Sequence, residues 1–387
     1  MTEPAPDLLT STIDRLITNL ITITDDTGHF LLHLSDGRVI DTKGWNGWEW
    51  THGIGLWGLY AYHELRPDAA VQPLSIIEAW FKKQLPQGTT KNINTMSPFL
   101  TLASLPLTPE SMATLGEWAE WAMNTCPRTP AGGWQHVTYL SEHVGQLWAD
   151  TLVMTALPLA KIGKVLDQPE YVAEAARQFL VHVAFLRDSE TGLFFHGWQF
   201  NEEGVGGHNF ARARWARGNA WVCMAVPEML RIAGWEEGDA VREWLVSVYR
   251  MQCAALRGCQ AKSGMWRTIL DRPEEEGSYE ESSATAGIAY GILKGVDMGL
   301  LDRTFLPVVG RAVKGVMDKI NEGGELEGTS FGTGMGDSLE HYYAIERTSM
   351  PYGQALAIML LAEVLKAIGG VGRMVSVKGR ENGQDDK

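Results

Sequence analysis

The sequence predicts an all-α protein, an (α/α)6 barrel in which outer and inner helices alternate along the chain. Strand-like alternation is scarce, whereas helical periodicity recurs throughout the 387 residues. The helical segments alternate between two kinds, one amphipathic and one apolar around most of its circumference. Because 45% of the residues are hydrophobic, the chain can bury a large core. We therefore expect a single domain over residues 1–370, followed by a polar, disordered tail at 371–387.

About twelve candidate helices follow from this periodicity. They are expected near residues 7–24, 50–65, 72–85, 93–104, 109–125, 147–162, 168–186, 215–232, 236–256, 280–299, 303–320 and 350–367. The odd-numbered members carry a charged stripe, as in PEYVAEAARQFLVHVAFL, so one face meets water. The even-numbered members, such as SSATAGIAYGILKGV, are rich in small residues and are expected to be buried. A helical solenoid is the alternative, but no sequence repeat of fixed period is visible.

The inner helices of such a barrel run parallel, so their N-termini meet at one mouth. Helix N-termini carry partial positive charge and free N–H groups, which favour anions. The loops that enter the inner helices are long and rich in tryptophan, histidine and arginine, as in DTKGWNGWEWTHG and TPAGGWQHVTYLSEHVGQLWAD. Loops on a rigid scaffold commonly carry function, so we expect the functional site at this mouth.

The composition argues against several classes of function. The net charge of −14 disfavours nucleic acid or an anionic membrane as the main partner. The four cysteines form no CxxC pair and the ten histidines no HExxH motif, so neither a metal site nor a cofactor is expected. The N-terminus lacks a secretory signal pattern, and no run of about 18 uncharged apolar residues is present. We therefore expect a cytoplasmic protein.

Tryptophan is concentrated in and beside the segments that face the mouth. Flat CH faces of sugars stack on indole rings, so the set as a whole favours a carbohydrate cleft. For any single tryptophan, packing in the barrel core is an equally good interpretation. The residues concerned are Trp45, Trp48, Trp50, Trp134, Trp148, Trp198, Trp215 and Trp221.

Asp150 lies in an otherwise apolar segment, QLWADTLVMTALPL, close to Trp148. It is predicted to fall in the first turn of an inner helix and to face the mouth. Burial beside aromatic side chains raises the pKa of a carboxyl group, whereas a helix N-terminus lowers it. If burial prevails, Asp150 is a proton donor near neutral pH, as a general acid must be. The alternative is a purely structural acid stabilised by the helix dipole.

Three further side chains are candidates for substrate contact. Arg217 begins a buried helix in RARWARGNAWV, where its planar fork can clamp a carboxylate. An ion pair with a neighbouring acid is the alternative for this arginine. His136 and His196, in GGWQHVTY and FFHGWQF, can donate to a substrate or carry protons, although a lone histidine in aromatic surroundings is more often structural.

Five ordered motifs resemble those of the unsaturated rhamnogalacturonyl hydrolases, glycoside hydrolase family 105, which are related to the unsaturated glucuronyl hydrolases of family 88. The motifs are GGWQHVTY…QLWADTLVM, LFFHGWQ, RWARGNAWV, YEESSATAGIAYGILKGV and PYGQALAIMLLAEV, within a resemblance that runs from about Trp48 to Glu363. The resemblance implies an (α/α)6 barrel acting on lyase-derived oligosaccharides that carry a 4,5-unsaturated uronate at the non-reducing end.

The resemblance also assigns roles to residues. The family's catalytic aspartate lies in a W-x-D-x-x-x-M segment, here Trp148, Asp150 and Met154. It would protonate C4 of the substrate and then, as carboxylate, help water attack C5, so that the ring opens and the aglycone leaves. The implied substrate-binding residues are Trp48, Trp50, Asn94, His136, His196, Trp215, Arg217 and Trp221.

The sequence departs from the family pattern in the segment TTKNINTMSPFL. Lys91 falls where a second aspartate is expected, Met96 replaces a glycine, and Val137 replaces a lysine in a later motif. Two rival functions therefore stay open. A sugar isomerase or epimerase would use His136 and His196 as a pair, and a carbohydrate-binding toroid would be inactive because of Lys91. The parent polysaccharide and the oligomeric state stay open as well.

Overall fold

The computed structural model describes the backbone of residues 5–381 and the side chains of residues 5–369. Within that part of the chain there are thirteen α-helices: α1 Pro6–Thr22, α2 Trp50–Leu65, α3 Pro73–Gln84, α4 Phe99–Leu102, α5 Pro109–Glu120, α6 Leu157–Val165, α7 Pro169–Leu186, α8 Ala216–Ala233, α9 Ala240–Cys259, α10 Ser282–Asp297, α11 Leu306–Met317, α12 Leu339–Tyr343 and α13 Pro351–Glu381. The tail predicted at 371–387 stays a prediction, and residues 382–387 lie outside the described residues.

Short strands between the helices form four small antiparallel sheets. The strands are β1 Leu31–His33, β2 Val39–Asp41, β3 Gln146–Trp148, β4 Gly197–Phe200, β5 Gly207–His208, β6 Trp266–Arg267, β7 Glu280–Glu281, β8 Thr329–Ser330 and β9 Arg347–Thr348. The order of the largest sheet is β3-β4-β5, and the others are two-stranded hairpins or ladders. Several of these strands end immediately before an inner helix, so they anchor the mouth loops to one another.

Six helices form a closed inner ring, which confirms the predicted (α/α)6 barrel. Each of α2, α4, α6, α8 and α10 packs against the next in this series, α10 packs against α13, and α13 returns to α2. The inner helices α8 and α10 are buried along nearly their whole length, whereas α9, an outer helix, exposes one face. The first outer helix, α1, packs against α13 and so joins the two ends of the chain.

Glycine permits the close approach of the inner helices. A Cβ on Gly58 would lie 2.9 Å from the Cα of Ala355, and a Cβ on Gly291 would lie 2.6 Å from the carbonyl oxygen of Cys223. Both distances are too short for a side chain, so the backbones of α2 and α13, and of α8 and α10, meet only because these positions are glycine.

Two predicted inner helices differ from expectation. The segment expected as one helix at 93–104 is a 3-10 turn, Asn94–Met96, followed by the four-residue α4 after Pro98, which has no N–H to continue a helical ladder. The segment expected at 147–162 starts instead as strand β3 and continues through a π-helical turn, Leu152–Ala156, before α6 begins. Asp150 therefore lies in a turn between a strand and a helix.

Helix α13 is apolar enough to resemble a membrane span. Its stretch Pro351–Gly369 meets the length and composition of such a span, with a mean hydropathy of 1.4, but 67% of it is buried inside the protein. Its position as the sixth inner helix accounts for that apolar sequence.

Candidate active site

Strand pairing brings Asp150 next to His196. In the β3–β4 ladder Trp148 pairs with Gly197, and the N–H of Ala149 donates to the carbonyl of His196 at 3.0 Å. The two side chains consequently emerge side by side, with 3.5 Å between His196 Nε2 and Asp150 Oδ2. On the other carboxylate oxygen, Asp150 Oδ1 accepts a hydrogen bond of 3.1 Å from Trp221 Nε1 in α8.

The electrostatic surroundings keep Asp150 ionised in the free protein. Burial raises its pKa, but the contact with His196 and the positive charge of the Arg217 guanidinium lower it, and the lowering prevails. The sequence analysis expected a helix N-terminus to oppose burial, whereas in the structure neighbouring side chains lower the pKa of Asp150. A proton must reach Asp150 before it can act as an acid, and a nearby substrate carboxylate would favour that protonation because like charges repel.

His196 is held as a neutral ring between two partners. Its Nδ1 lies 2.8 Å from the hydroxyl of Tyr342, and its ring centroid lies 4.1 Å from that of Trp215. Burial lowers the pKa of His196 more than the adjacent carboxylate of Asp150 raises it. A neutral imidazole that accepts from Tyr342 at Nδ1 carries its proton on Nε2, the atom that faces Asp150.

His136 contacts Trp148 and Thr151, which lie close to Asp150 in the sequence. Its ring stacks on Trp148 with centroids 4.3 Å apart and an interplanar angle of 7°, and its Nδ1 lies 2.8 Å from Thr151 Oγ1. Burial lowers the pKa of His136 to about 3, so the ring stays neutral over the ordinary pH range. These contacts favour the structural interpretation of His136. The isomerase alternative required a poised histidine pair, yet the Nδ1 atoms of His136 and His196 are both already engaged.

The predicted tryptophans divide between the site and the core. Trp221 and Trp215 contact Asp150 and His196 respectively, and both are buried. Trp50 is half-buried, 4.4 Å from Tyr352 and 6.2 Å from Trp221 between ring centroids, so it can offer a face to a ligand. Trp48 lies instead in a core cluster.

That core cluster is formed by the rings of Trp80, Phe99 and Trp118, and Trp48 Nε1 donates to the carbonyl of Thr95 at 2.8 Å. Trp48 is only 5% exposed, so core packing describes it better than substrate contact does.

Arg217 is part of a buried polar network and does not present an open fork. Its Nη1 lies 2.6 Å from Ser330 Oγ and 3.4 Å from Glu281 Oε1, and its Nη2 donates to Thr333 Oγ1 at 3.1 Å. The guanidinium is stacked over the rings of Trp215 and Tyr352. The ion-pair alternative for Arg217 therefore describes this structure, and the arginine contributes positive charge close to Asp150 while holding the loop at 330–333.

Lys91 forms an ion pair with Glu117. Its ammonium lies 2.7 Å from Glu117 Oε1 near the protein surface, whereas the neighbouring Asn92 and Asn94 are buried. Asn94 Nδ2 donates to Glu49 Oε1 at 3.1 Å. The expectation that Lys91 falls at the position of a second catalytic aspartate stays a prediction, since its ion pair with Glu117 does not decide that alignment.

Sequence reasoning missed three residues of the mouth. Glu49 and Glu281 are buried carboxylates that accept from the first N–H groups of α2 and α10. Each precedes a buried helix in the sequence, WEWTHG and YEESSATAG, a capping signal that was available. Tyr342, which bonds to His196, is 146 residues away along the chain and carried no local signal.

The described residues hold no group of three or more His, Cys, Asp or Glu side chains that could ligate a metal ion. The chemistry available at the mouth is therefore that of one partly accessible carboxylate, two neutral imidazoles, indole donors and one buried arginine.

An (α/α)6 barrel with one partly exposed carboxylate among aromatic rings at its mouth is consistent with a carbohydrate-active enzyme, and comparison with known proteins supports the same class. The model of Glycosyl Hydrolase Family 88 matches residues 22–368, and the chain belongs to that family. The predicted glycosidase class and the resemblance to families 105 and 88 are thereby confirmed.

Individual relatives match over most of their length. The unsaturated rhamnogalacturonyl hydrolase YesR of Bacillus subtilis is 29% identical over 326 residues, which cover 82% of this chain and 90% of YesR. A solved structure from Salmonella enterica, titled a possible member of the GH105 family, is 51% identical with a TM-score of 0.90, covering 95% of this chain and 97% of that one. A counterpart from Klebsiella pneumoniae is 50% identical with a TM-score of 0.90 and covers 95% of each chain.

Proposed function

We propose that this protein hydrates the C4=C5 double bond of an unsaturated uronic acid at the non-reducing end of an oligosaccharide, and so releases the remaining saccharide. The observation that carries the proposal is the position of Asp150 at the mouth, beside the Nε2 of a neutral His196 and 3.1 Å from the Trp221 N–H. The name of YesR, an unsaturated rhamnogalacturonyl hydrolase, supports the same substrate class.

The reaction needs one carboxyl group that acts twice. The uronate carboxylate of the substrate raises the pKa of Asp150, and the protonated Asp150 gives its proton to C4. The positive charge that develops at C5 is quenched by water, whose proton returns to the Asp150 carboxylate. The sum is addition of one water molecule, which leaves a hemiketal at C5. Its ring opens to a ketone, and C1 then expels the aglycone.

His196 and Trp221 have distinct parts in this sequence. Trp221 donates to Oδ1 and stabilises the anionic form that exists after proton transfer. His196 faces Oδ2 at 3.5 Å, a distance that a small movement on substrate binding converts into a hydrogen bond. Tyr342 fixes the ring of His196 through Nδ1, so that Nε2 carries the proton on the catalytic side.

Asp150→Asn tests this function because the amide is nearly isosteric but has no acidic proton. Activity is measured as the loss of ultraviolet absorbance of the unsaturated uronate in lyase-digested polysaccharide. We expect a decrease of at least about 10²-fold, the low end for loss of a general acid. The control is Asp297→Asn, at a half-exposed aspartate paired with Lys366 at the far end of α10 from the mouth.

The outcome separates the proposal from its rivals. A folded Asp150→Asn protein that retains more than about a tenth of wild-type activity means that another group protonates C4. A wild-type protein that binds the oligosaccharide without bleaching it is a binding toroid, and one that converts it without bleaching is an isomerase.

A further inference from the structure

A cleft of about 310 Å³ opens on the rim of the mouth, apart from Asp150. Three mouth-side segments form it: the residues before α8, the loop before α10, and the start of α12. Its lining includes Arg212, Arg214, Arg272, Asp271, Ile269 and Leu339. Arg214 and Arg272 are paired with acids, so the positive charge that no ion pair compensates among the described residues of this cleft is that of Arg212.

Arg212 is exposed and has no ion-pair partner among the described residues. Its backbone has a φ of +52°, and Phe210, two residues earlier, has a φ of +49°. Side chains other than glycine rarely occupy this left-handed region, and such strain is concentrated at ligand-binding segments. The guanidinium lies over the ring of Phe195 at 5.6 Å, which holds its plane while leaving its N–H edge available.

The other arginines prepare the cleft for an anion. Arg214 lies 2.6 Å from both Asp188 Oδ2 and Asp271 Oδ2, so the one aspartate in the lining is already neutralised. Arg272 is 43% exposed and only loosely paired with Glu276, at 3.6 Å. Arg212 and Arg272 thus offer planar donors that suit a carboxylate or sulfate group.

One layer of side chains separates this cleft from the catalytic residues. Ile269 forms a β-bridge with Trp215, whose ring packs against His196. Leu339 begins α12, and Tyr342 in the same helix bonds to His196. The lining of the cleft therefore adjoins the residues that hold His196.

We propose that the cleft lined by Arg212 and Arg272 binds an anionic substituent, a carboxylate or a sulfate, on the saccharide that follows the unsaturated uronate. This inference rests on the proposed function and extends it, since it makes the enzyme selective for acidic or sulfated oligosaccharides over neutral ones.

The test compares two disaccharides that share the unsaturated uronate, one with a neutral second sugar and one with a sulfated or uronate second sugar. Absorbance bleaching gives kcat/KM for both with wild type, Arg212→Gln and Arg303→Gln. Arg303 is an exposed arginine at the opposite end of the barrel and serves as the matched control for lost charge. We expect the wild type to have a higher kcat/KM for the anionic disaccharide than for the neutral one. In Arg212→Gln this ratio should fall about tenfold, because KM for the anionic disaccharide rises. In Arg303→Gln the ratio should be unchanged.

Equal losses of Arg212→Gln on both disaccharides, or no loss on either, overturn the inference. A second measurement keeps the cleft testable without activity: the melting temperatures of the three proteins in sodium sulfate and in sodium chloride at equal ionic strength. Sulfate should stabilise wild type and Arg303→Gln more than Arg212→Gln. If wild type bleaches neither disaccharide, the proposed function fails, and the sulfate measurement alone decides the anion site. Sulfate stabilisation without a change in the kinetic ratio indicates a site for free anions and refutes the oligosaccharide assignment.

Discussion

Replacement of Glu49 by glutamine should change how the stability of the protein depends on pH. Glu49 is 2% exposed, and its carboxylate accepts hydrogen bonds from the Trp50 N–H at 2.5 Å and from Asn94 Nδ2 at 3.1 Å. Burial outweighs these two bonds and raises the pKa of Glu49 from 4.5 to about 7. A carboxyl group with a raised pKa in the folded state stabilises the fold below pH 4.5, and that contribution is lost as the pH rises through 7.

The size of the effect follows from the shift. Between its unfolded and folded pKa values, each pH unit removes about 1.4 kcal/mol, so the full effect is about 3 kcal/mol. From pH 5 to pH 8 the wild type should lose roughly 2–3 kcal/mol of unfolding free energy through Glu49 alone. Glu49→Gln has no such titration. It loses one acceptor for Asn94, a cost of about 1 kcal/mol that is the same at both pH values.

Urea denaturation of wild type and Glu49→Gln at pH 5 and pH 8 measures this directly. Other titrating groups, including the buried histidines, are common to both proteins and cancel in the difference. The variant should gain roughly 2–3 kcal/mol relative to wild type between pH 5 and pH 8, whereas Glu78→Gln, at an exposed position of α3, should gain nothing. If the difference in unfolding free energy between wild type and Glu49→Gln is the same at both pH values, burial does not raise the pKa of Glu49.

Three further outcomes are expected. Lys91→Asp should leave kcat/KM and its pH profile unchanged, since the side chain pairs with Glu117 at the surface. The substitution should lower the free energy of unfolding by less than about 1 kcal/mol. A shifted pH profile would show that Lys91 belongs to the active site. Arg217→Lys should lower kcat/KM by about 10- to 10²-fold, because lysine cannot hold the loop at 330–333 through a planar fork, and wild-type kinetics would remove Arg217 from the site. The kcat/KM of the wild type should rise as the pH falls from 8 to 6, since protonated Asp150 becomes more abundant, and a flat profile over that range would contradict its role as the acid.

The order of the helices could be predicted because buried residues recur in the sequence with helical periodicity. The charged stripe of α9 and the small, mostly apolar residues of α10 are visible in the sequence, and the alternation of these two kinds of helix predicts the barrel. The interrupted inner helices were not predictable in the same way. Strand β3 forms only because β4, about 50 residues later, provides its partner, and periodicity within one segment carries no such information.

The residues of the site were easier to identify than their roles. Trp221 and His196 contact Asp150, and the charge of Arg217 lowers its pKa, while the roles assigned to them by the motifs stay predictions. Arg217 differs from expectation because its partners, Ser330 and Glu281, come from distant parts of the chain that converge on its fork. Contacts of this kind decide whether an arginine is free for a ligand or already engaged, and a single sequence does not reveal them.

Three inner helices are preceded by carboxylates, and their surroundings decide which one can perform the chemistry. Glu281 is fully buried, and its oxygen atoms are engaged by Ser330 N at 2.8 Å, by Ser283 Oγ and by Arg217. Glu49 is 2% exposed, and both of its oxygen atoms accept hydrogen bonds. Of the three, Asp150 alone keeps 15% of its side chain exposed, and its Oδ2, although buried, has no formed hydrogen bond.

The raised pKa of Glu49 makes it the better acid by proton affinity, but a general acid must also touch the atom that it protonates. Asp150 is therefore the acid because it is the accessible carboxyl group. Its pKa is low in the free protein, and the negative charge of the bound substrate raises it. This dependence of the Asp150 pKa on bound substrate explains how one accessible carboxyl group can serve as acid and then base. It also predicts that an uncharged analogue of the unsaturated uronate, such as its methyl ester, should bind without being hydrated efficiently. If the ester is bleached with the kcat of the free acid, the substrate carboxylate does not tune Asp150.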